Sequence, residues 1–235
     1  MSPLIIWIII WIVLILLIII LFLSLQLANR NYIPEKYVNF DPCLFETGDL
    51  IFNSYGNFLT VIITCLIGSP WTHSGVIWCD PNTHEKYVLE MCSYKPPFYR
   101  GVYKVPLTTW LNINKKSNMI GYMKLKRTDH KKSHFENLDQ IYDKYKDIKL
   151  EAFCWKYYRF LQQHDYEKIN KHGANACHEI SISVLQDLGI YKKERAVSSY
   201  TPSDIVYHEI PMHKPYYYGD IIGLNIDFYK ELYKL

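Results

Sequence analysis

A cysteine late in the chain, with a histidine and a glutamate well before it, is a set of side chains able to carry out covalent acyl transfer. His73 lies in Trp71-Thr72-His73-Ser74-Gly75-Val76-Ile77, and Glu90 ends the strand-like run Tyr87-Val88-Leu89-Glu90. Cys177 opens a helical run after Gly173-Ala174-Asn175-Ala176. A thiol becomes a useful nucleophile when its pKa is lowered, usually by an imidazole and by the start of a helix. The imidazole in turn needs a third group to orient it. In the order His, Glu, Cys, the chain supplies a base, an orienting carboxylate and a nucleophile.

Each of the three also has a plainer reading. Alone, Cys177 reads as a buried structural cysteine, His73 as a satisfied strand histidine and Glu90 as a surface carboxylate. Their company changes this. At a helix start, the unpaired N–H groups and the dipole favour a thiolate, and the same N–H groups can face a developing oxyanion. Glu90 shares a strand face with Val88 and Cys92, so it needs a partner, and His73 on the adjacent hairpin strand is the natural one. His178 follows Cys177 directly. Consecutive helical side chains point about 100° apart, so its ring is not expected to reach the sulfur well. The remaining histidines sit in polar stretches and read as surface. No His-x-x-x-His pair with a third ligand, Gly-rich phosphate loop or Gly-x-Ser-x-Gly elbow appears, so no cofactor and no metal are expected.

The elements that must position these groups are legible in the hydrophobic pattern. Gly48-Asp49-Leu50-Ile51-Phe52 reads as a turn and a buried strand, and Asn57 to Ile67 as a helix stopped by Gly68-Ser69-Pro70. His73 to Cys79 and Lys86 to Met91 form a hairpin across the turn Asp80-Pro81-Asn82-Thr83. Val102 to Val105 and Met119 to Lys126 add strands, with a short helix beginning at Pro106 to Leu111. His134 to Lys168 is helical in pattern, Cys177 to Leu188 is the next helix with Gly189 as its stop, and Ile221 to Ile226 is a late strand. The fold class is α+β, with an antiparallel sheet and segregated helices.

Ahead of this domain the chain is different. Leu4 to Leu25 carries no charge and is long enough, at about 1.5 Å per residue, to cross a hydrocarbon core of roughly 30 Å. A cleaved signal peptide would have a shorter apolar core of roughly 7–15 residues and a basic start. The expectation is one uncleaved transmembrane helix over 4–25, in contact with membrane lipid, a linker over 29–41 and a domain over 42–235. Arg30 and Lys36 on the C-terminal flank lean toward a cytosolic domain. A net charge of +3 gives no argument for nucleic acid. The six cysteines include no Cys-x-x-Cys, and apart from Cys177 they read as reduced, mostly buried thiols.

The motifs resemble the permuted papain-like amidases of the NlpC/P60 superfamily, the YiiX/YaeF type in particular. They are Gly48-Asp49-Leu50-Ile51-Phe52, Thr72-His73-Ser74-Gly75, Val88-Leu89-Glu90, Pro106-Leu107-Thr108-Thr109-Trp110 and Cys177-His178-Glu179-Ile180. The resemblance spans roughly Thr47 to Leu188. Two positions depart from the family pattern, Thr72 before the histidine and His178 after the cysteine, each where the family carries serine. The resemblance implies a circularly permuted papain-like fold and a cysteine hydrolase, with Cys177 as nucleophile, His73 as base and Glu90 as orienting group. It implies a peptide or a lipid-linked acyl group as substrate. Asn175-Ala176-Cys177-His178-Glu179 echoes, out of register, the signature of the lecithin:retinol acyltransferase-like branch, which keeps a lipid acyltransferase or phospholipase as an alternative. A non-catalytic membrane-anchored relative, viral or structural, is the reading from another class.

Overall fold

A computed structural model of the chain describes residues 3–29, 34–54, 69–93, 100–117, 119–131, 135, 138–148, 177–195, 197, 200 and 202–225. Nine strands are described: β1 (Tyr37–Asn39), β2 (Leu50–Ser54), β3 (His73–Cys79), β4 (Lys86–Ser93), β5 (Arg100–Pro106), β6 (Met119–Met123), β7 (Leu125–Arg127), β8 (Tyr216–Tyr218) and β9 (Ile222–Asn225). The helices are α1 (Pro3–Asn29), α2 (Leu107–Ile113), α3 (Leu138–Tyr145), α4 (Cys177–Asp187) and α5 (Pro202–Val206). Seven strands form one sheet in the order β1-β9-β6-β2-β3-β4-β5. All its pairings are antiparallel except β1 with β9. The class is α+β with a mostly antiparallel sheet.

Strand alternation buries the sheet on both faces. Leu50, Phe52, Val76, Trp78, Leu89 and Met91 point toward one core, shared with Ile180, Val184 and Leu185 of α4. Ile51, Ile77, Val88 and Val105 point the other way, beneath Leu107, Trp110 and Leu111 of α2. Each such side chain, fully withdrawn from water, contributes about 1.5–3 kcal/mol. The sheet is therefore a partition between two apolar layers, with α4 on one side and α2 on the other.

The expected hairpin is β3–β4, in register Gly75↔Glu90 and Ile77↔Val88. Its turn is held by Asp80, whose Oδ1 accepts from the backbone N–H groups of Asn82 at 2.8 Å and Thr83 at 3.0 Å. The helix at Cys177 ends at Asp187, and Gly189 follows with φ +71°, the conformation a glycine stop provides. The single strand expected over Met119 to Lys126 is instead two, β6 and β7, broken at Lys124. Lys124 Nζ donates to Leu44 O at 2.8 Å and to Asp49 Oδ2 at 3.1 Å, and the Leu125 N–H donates to Asp49 Oδ1 at 2.8 Å. That anchor turns the chain out of the large sheet, so that β7 pairs with β8. The helix expected over Asn57 to Ile67 lies outside the described residues, as does the part of the helical run beyond Ile148.

Described side chains of α1 run from Ile5 to Ile19, and all of them are apolar and exposed. Among the described residues no helix is long and apolar enough to cross a membrane.

Asp49 sits at the turn before β2, fully buried. Burial is the strongest influence on its carboxyl and raises its pKa to about 6, against the opposing pull of Lys124 and of the Glu46 and Leu125 N–H groups. The folded protein thus binds this proton more tightly than the unfolded chain, whose value is near 3.8. The sign follows: stability from this group is greatest below about pH 4 and is lost as pH rises to about 6, by about 3 kcal/mol in all. Asp49→Asn should remove that dependence. Denaturant titrations of both proteins from pH 4 to pH 7 check it, and parallel pH profiles for the two would contradict it.

Candidate active site

Alternation along β3 places His73, Gly75 and Ile77 on the α2 side of the sheet, and Ser74, Val76 and Trp78 on the α4 side. Glu90 pairs directly with Gly75, so it is the diagonal neighbour of His73 on the same face. A Cβ on Gly75 would lie 3.4 Å from Glu90 Cβ and 2.5 Å from Val88 Cγ1. With no side chain there, the imidazole and carboxylate can meet across the gap. His73 Nε2 is 2.5 Å from Glu90 Oε2.

The Glu90 carboxylate is 1 % exposed, and a second donor serves it. Trp110 Nε1–H donates to the same Oε2 at 2.7 Å. Trp110 is completely buried in α2, directly over β4. The Pro106-Leu107-Thr108-Thr109-Trp110 segment stands out in the sequence without a role, and this hydrogen bond supplies one. The signal available beforehand was that a carboxylate among apolar neighbours needs more than one donor.

Cys177 arrives from the other side. Ser181 Oγ donates to Cys177 O at 3.1 Å and lies 3.1 Å from Ser74 Oγ. Because Ser181 has a single hydroxyl proton, Ser74 donates in that second bond. The pair of serines ties the first turn of α4 to β3, one residue from His73. The Cys177 thiol lies 3.9 Å from the carbonyl oxygen of Thr72, the residue before β3, and is partly exposed. With Nε2 of His73 held by Glu90, Nδ1 is the ring nitrogen available for another partner.

The electrostatics of the pair run in opposite directions. Burial is the largest single influence on His73 and pulls its pKa down, but the charges of Glu90 and then Cys177, with hydrogen bonds to both, hold it well above 6.5. Burial likewise pushes the Cys177 thiol up. The His73 charge and hydrogen bonds from His178 and His73 outweigh it and leave the thiol well below 9.0. Both shifts lean toward thiolate and imidazolium, and the helix start has a dipole that adds to the same preference.

His178 is a further influence that lowers the Cys177 thiol, alongside His73. The other thiols differ in part from the sequence-based expectation. Cys43 is exposed, and Cys79 and Cys92 are only partly buried. Cys65 and Cys154 lie outside the described residues. Among the described residues no group of three or more His, Cys, Asp or Glu side chains is placed to hold a metal ion.

Glu90→Gln keeps an acceptor for the indole but removes the charge behind the imidazolium. The pH midpoint for Cys177 alkylation by iodoacetamide, read by peptide mass spectrometry, should move up toward the ordinary thiol value. Trp110→Phe should move it in the same direction and cost about 1–3 kcal/mol of stability through the lost bond to a charged group. An unchanged midpoint in Glu90→Gln would show that the carboxylate does not act on the thiol.

No known protein-family model matches this sequence, and no curated protein matches it. Among solved structures, the chain is similar to the crystal structure of the metalloprotein YiiX from Escherichia coli O157:H7, with 15% identity over 75% of this chain and 97% of that one, at a TM-score of 0.46. A likeness of that size carries no argument for what this chain does.

Proposed function

We propose that the protein is a cysteine hydrolase with a permuted papain-like arrangement, acting on an amide or (thio)ester bond through Cys177, His73 and Glu90. The observation that carries the reading is the His73 Nε2–Glu90 Oε2 contact of 2.5 Å, on the residue next to Thr72, whose carbonyl oxygen lies 3.9 Å from the Cys177 sulfur at a helix start. A charged imidazole held between a buried carboxylate and a half-buried sulfur is the arrangement that nucleophilic thiol chemistry requires.

The steps follow from the charges. The Cys177 thiolate attacks the substrate carbonyl carbon, a carbon–sulfur bond forms, and the carbonyl electron pair moves to oxygen. Backbone N–H groups at the start of α4 are the natural donors to that oxyanion. The intermediate collapses with loss of the amine, alcohol or thiol, which takes the proton from His73. His73, now neutral, accepts a proton from water as the water attacks the thioester, and the thiolate leaves.

In this reading residues 4–25 anchor the domain in a membrane. The run carries no charge, its helical backbone continues to Asn29, and its described side chains are exposed apolar groups. Such an anchor confines the enzyme to substrates at a membrane surface, a peptide or a lipid-linked acyl group. Arg30 and Lys36 favour a cytosolic domain under the positive-inside rule.

With peptidyl and acyl thiol-reactive probes and matched chromogenic esters, Cys177→Ala and His73→Ala should both lose about 10²–10⁴-fold in kcat/KM, because a nucleophile and its base fail as a unit. Glu90→Gln should fall between these and wild type. His178→Ser should cost less than His73→Ala, since only His73 is carried on Glu90. Equal losses in the two histidine variants would overturn the choice of base. Full activity in all four would remove the enzymatic reading. Separately, the full chain should resist carbonate extraction from membranes, whereas recovery of a protein beginning near Asn29 would show cleavage and end the anchor proposal.

A further inference from the structure

Asn53 has no part in the steps above, yet it is a fully buried polar side chain directly opposite His73 in the β2–β3 register. Its Nδ2 donates to Asn114 Oδ1 at 2.5 Å. Asn114 stands just past α2, where its Nδ2 donates to Trp110 O at 2.8 Å and its backbone N–H reaches the same carbonyl at 3.0 Å. Trp110 in turn donates to Glu90 Oε2. The amide orientations are mutually consistent, because reversing Asn53 alone would bring two carbonyl oxygens together.

Two further features show that this chain of bonds has a purpose beyond stability. Among the described residues Asn53 Oδ1 is buried with no hydrogen-bond partner, a feature that costs stability and that an apolar side chain of similar size would avoid. In addition, α2 is only 7 residues long, and Pro106 at its start makes no side-chain cap bond. A helix that short does not hold itself together, and its far end needs an external tie.

We infer that Asn53 and Asn114 are positioning residues: their amide pair clamps the end of α2 to the strand beside His73 and so holds the Trp110 indole on the Glu90 carboxylate. The inference rests on the Cys177–His73–Glu90 reading. The charged groups that act on Cys177 are His73 from β3, with Glu90 of β4 behind it, and His178 of α4 itself. Asn53, Asn114 and Trp110 are neutral, so they act only by fixing where Glu90 holds its charge. Loosening the clamp lets the indole drift, weakens the support of the imidazolium and returns the proton to the thiol.

The test follows iodoacetamide alkylation of Cys177 against pH in the full chain, by peptide mass spectrometry, with Cys177→Ser as blank. Asn53→Ala and Asn114→Ala should each raise the alkylation midpoint by up to about one pH unit, which slows the rate by about threefold to tenfold at pH values below the wild-type midpoint. In a Trp110→Phe background the further effect of Asn53→Ala should largely vanish, because both act through one hydrogen bond. Asn53→Leu, which keeps the volume and removes both polar atoms, gives the same reading if the alanine variant does not fold. Asn variants that melt at lower temperature but keep the wild-type alkylation midpoint would overturn the inference and leave the amides purely structural. So would full additivity with Trp110→Phe. A wild-type midpoint at the ordinary thiol value would instead sink the hydrolase reading, and this inference with it.

Discussion

A carboxylate withdrawn from water loses several kcal/mol of hydration unless charged and hydrogen-bonding partners replace it. Glu90, at 1 % exposure, is in that position, and much of the surrounding architecture supplies its partners. The hairpin brings His73 from one side, the helix after β5 brings the Trp110 indole from above, and Gly75 leaves the gap in which they meet. The burial that makes the carboxylate costly also makes it effective, because a charge in a poorly polarisable layer acts strongly on its neighbour. The His73 pKa is consequently held above its ordinary value although its own burial opposes this.

The sheet has a second task, to bring together groups that belong to different layers. Glu90 and Trp110 belong to the layer under α2, whereas Cys177 belongs to the layer with α4. His73 can serve both because it is the first residue of β3, where the partition ends and the start of α4 passes over the rim. The Ser74–Ser181 contact fixes that passage. Each serine is small and its hydroxyl satisfies another hydroxyl or a carbonyl, so the two elements approach closely without leaving a buried donor unpaired.

Much of this was readable from residue order alone, and the limits have physical reasons. The β3–β4 hairpin declared itself by alternation and by Asp80-Pro81-Asn82-Thr83, and a paired hairpin with a glycine opposite Glu90 makes the His73–Glu90 meeting a local matter. The start of α4 was legible because Cys177 begins a clear apolar period that Gly189 ends. Contacts that depend on non-local packing were not legible. Asn53 and Asn114 are 61 residues apart, and Asp49 and Leu125 are 76 apart, so neither pairing leaves a local pattern. The break between β6 and β7 at Lys124 follows from that second pairing and was hidden with it.

Opposed shifts on two coupled groups have a consequence for how such a site can be seen. His73, raised above 6.5, adds stability that is complete below that value and declines as pH rises through its folded pKa. Cys177, lowered from 9.0, adds stability that is complete above 9.0 and declines as pH falls through its folded pKa. The two contributions therefore slope in opposite directions with pH and offset each other in the stability of the folded protein. Asp49 behaves differently, because it titrates as a single group and imprints its shift directly on the stability profile. Unfolding experiments therefore register the structural carboxylate more directly than the opposed thiol and imidazole. Only a measurement that reads charge at the sulfur itself distinguishes an activated Cys177 from an ordinary buried thiol.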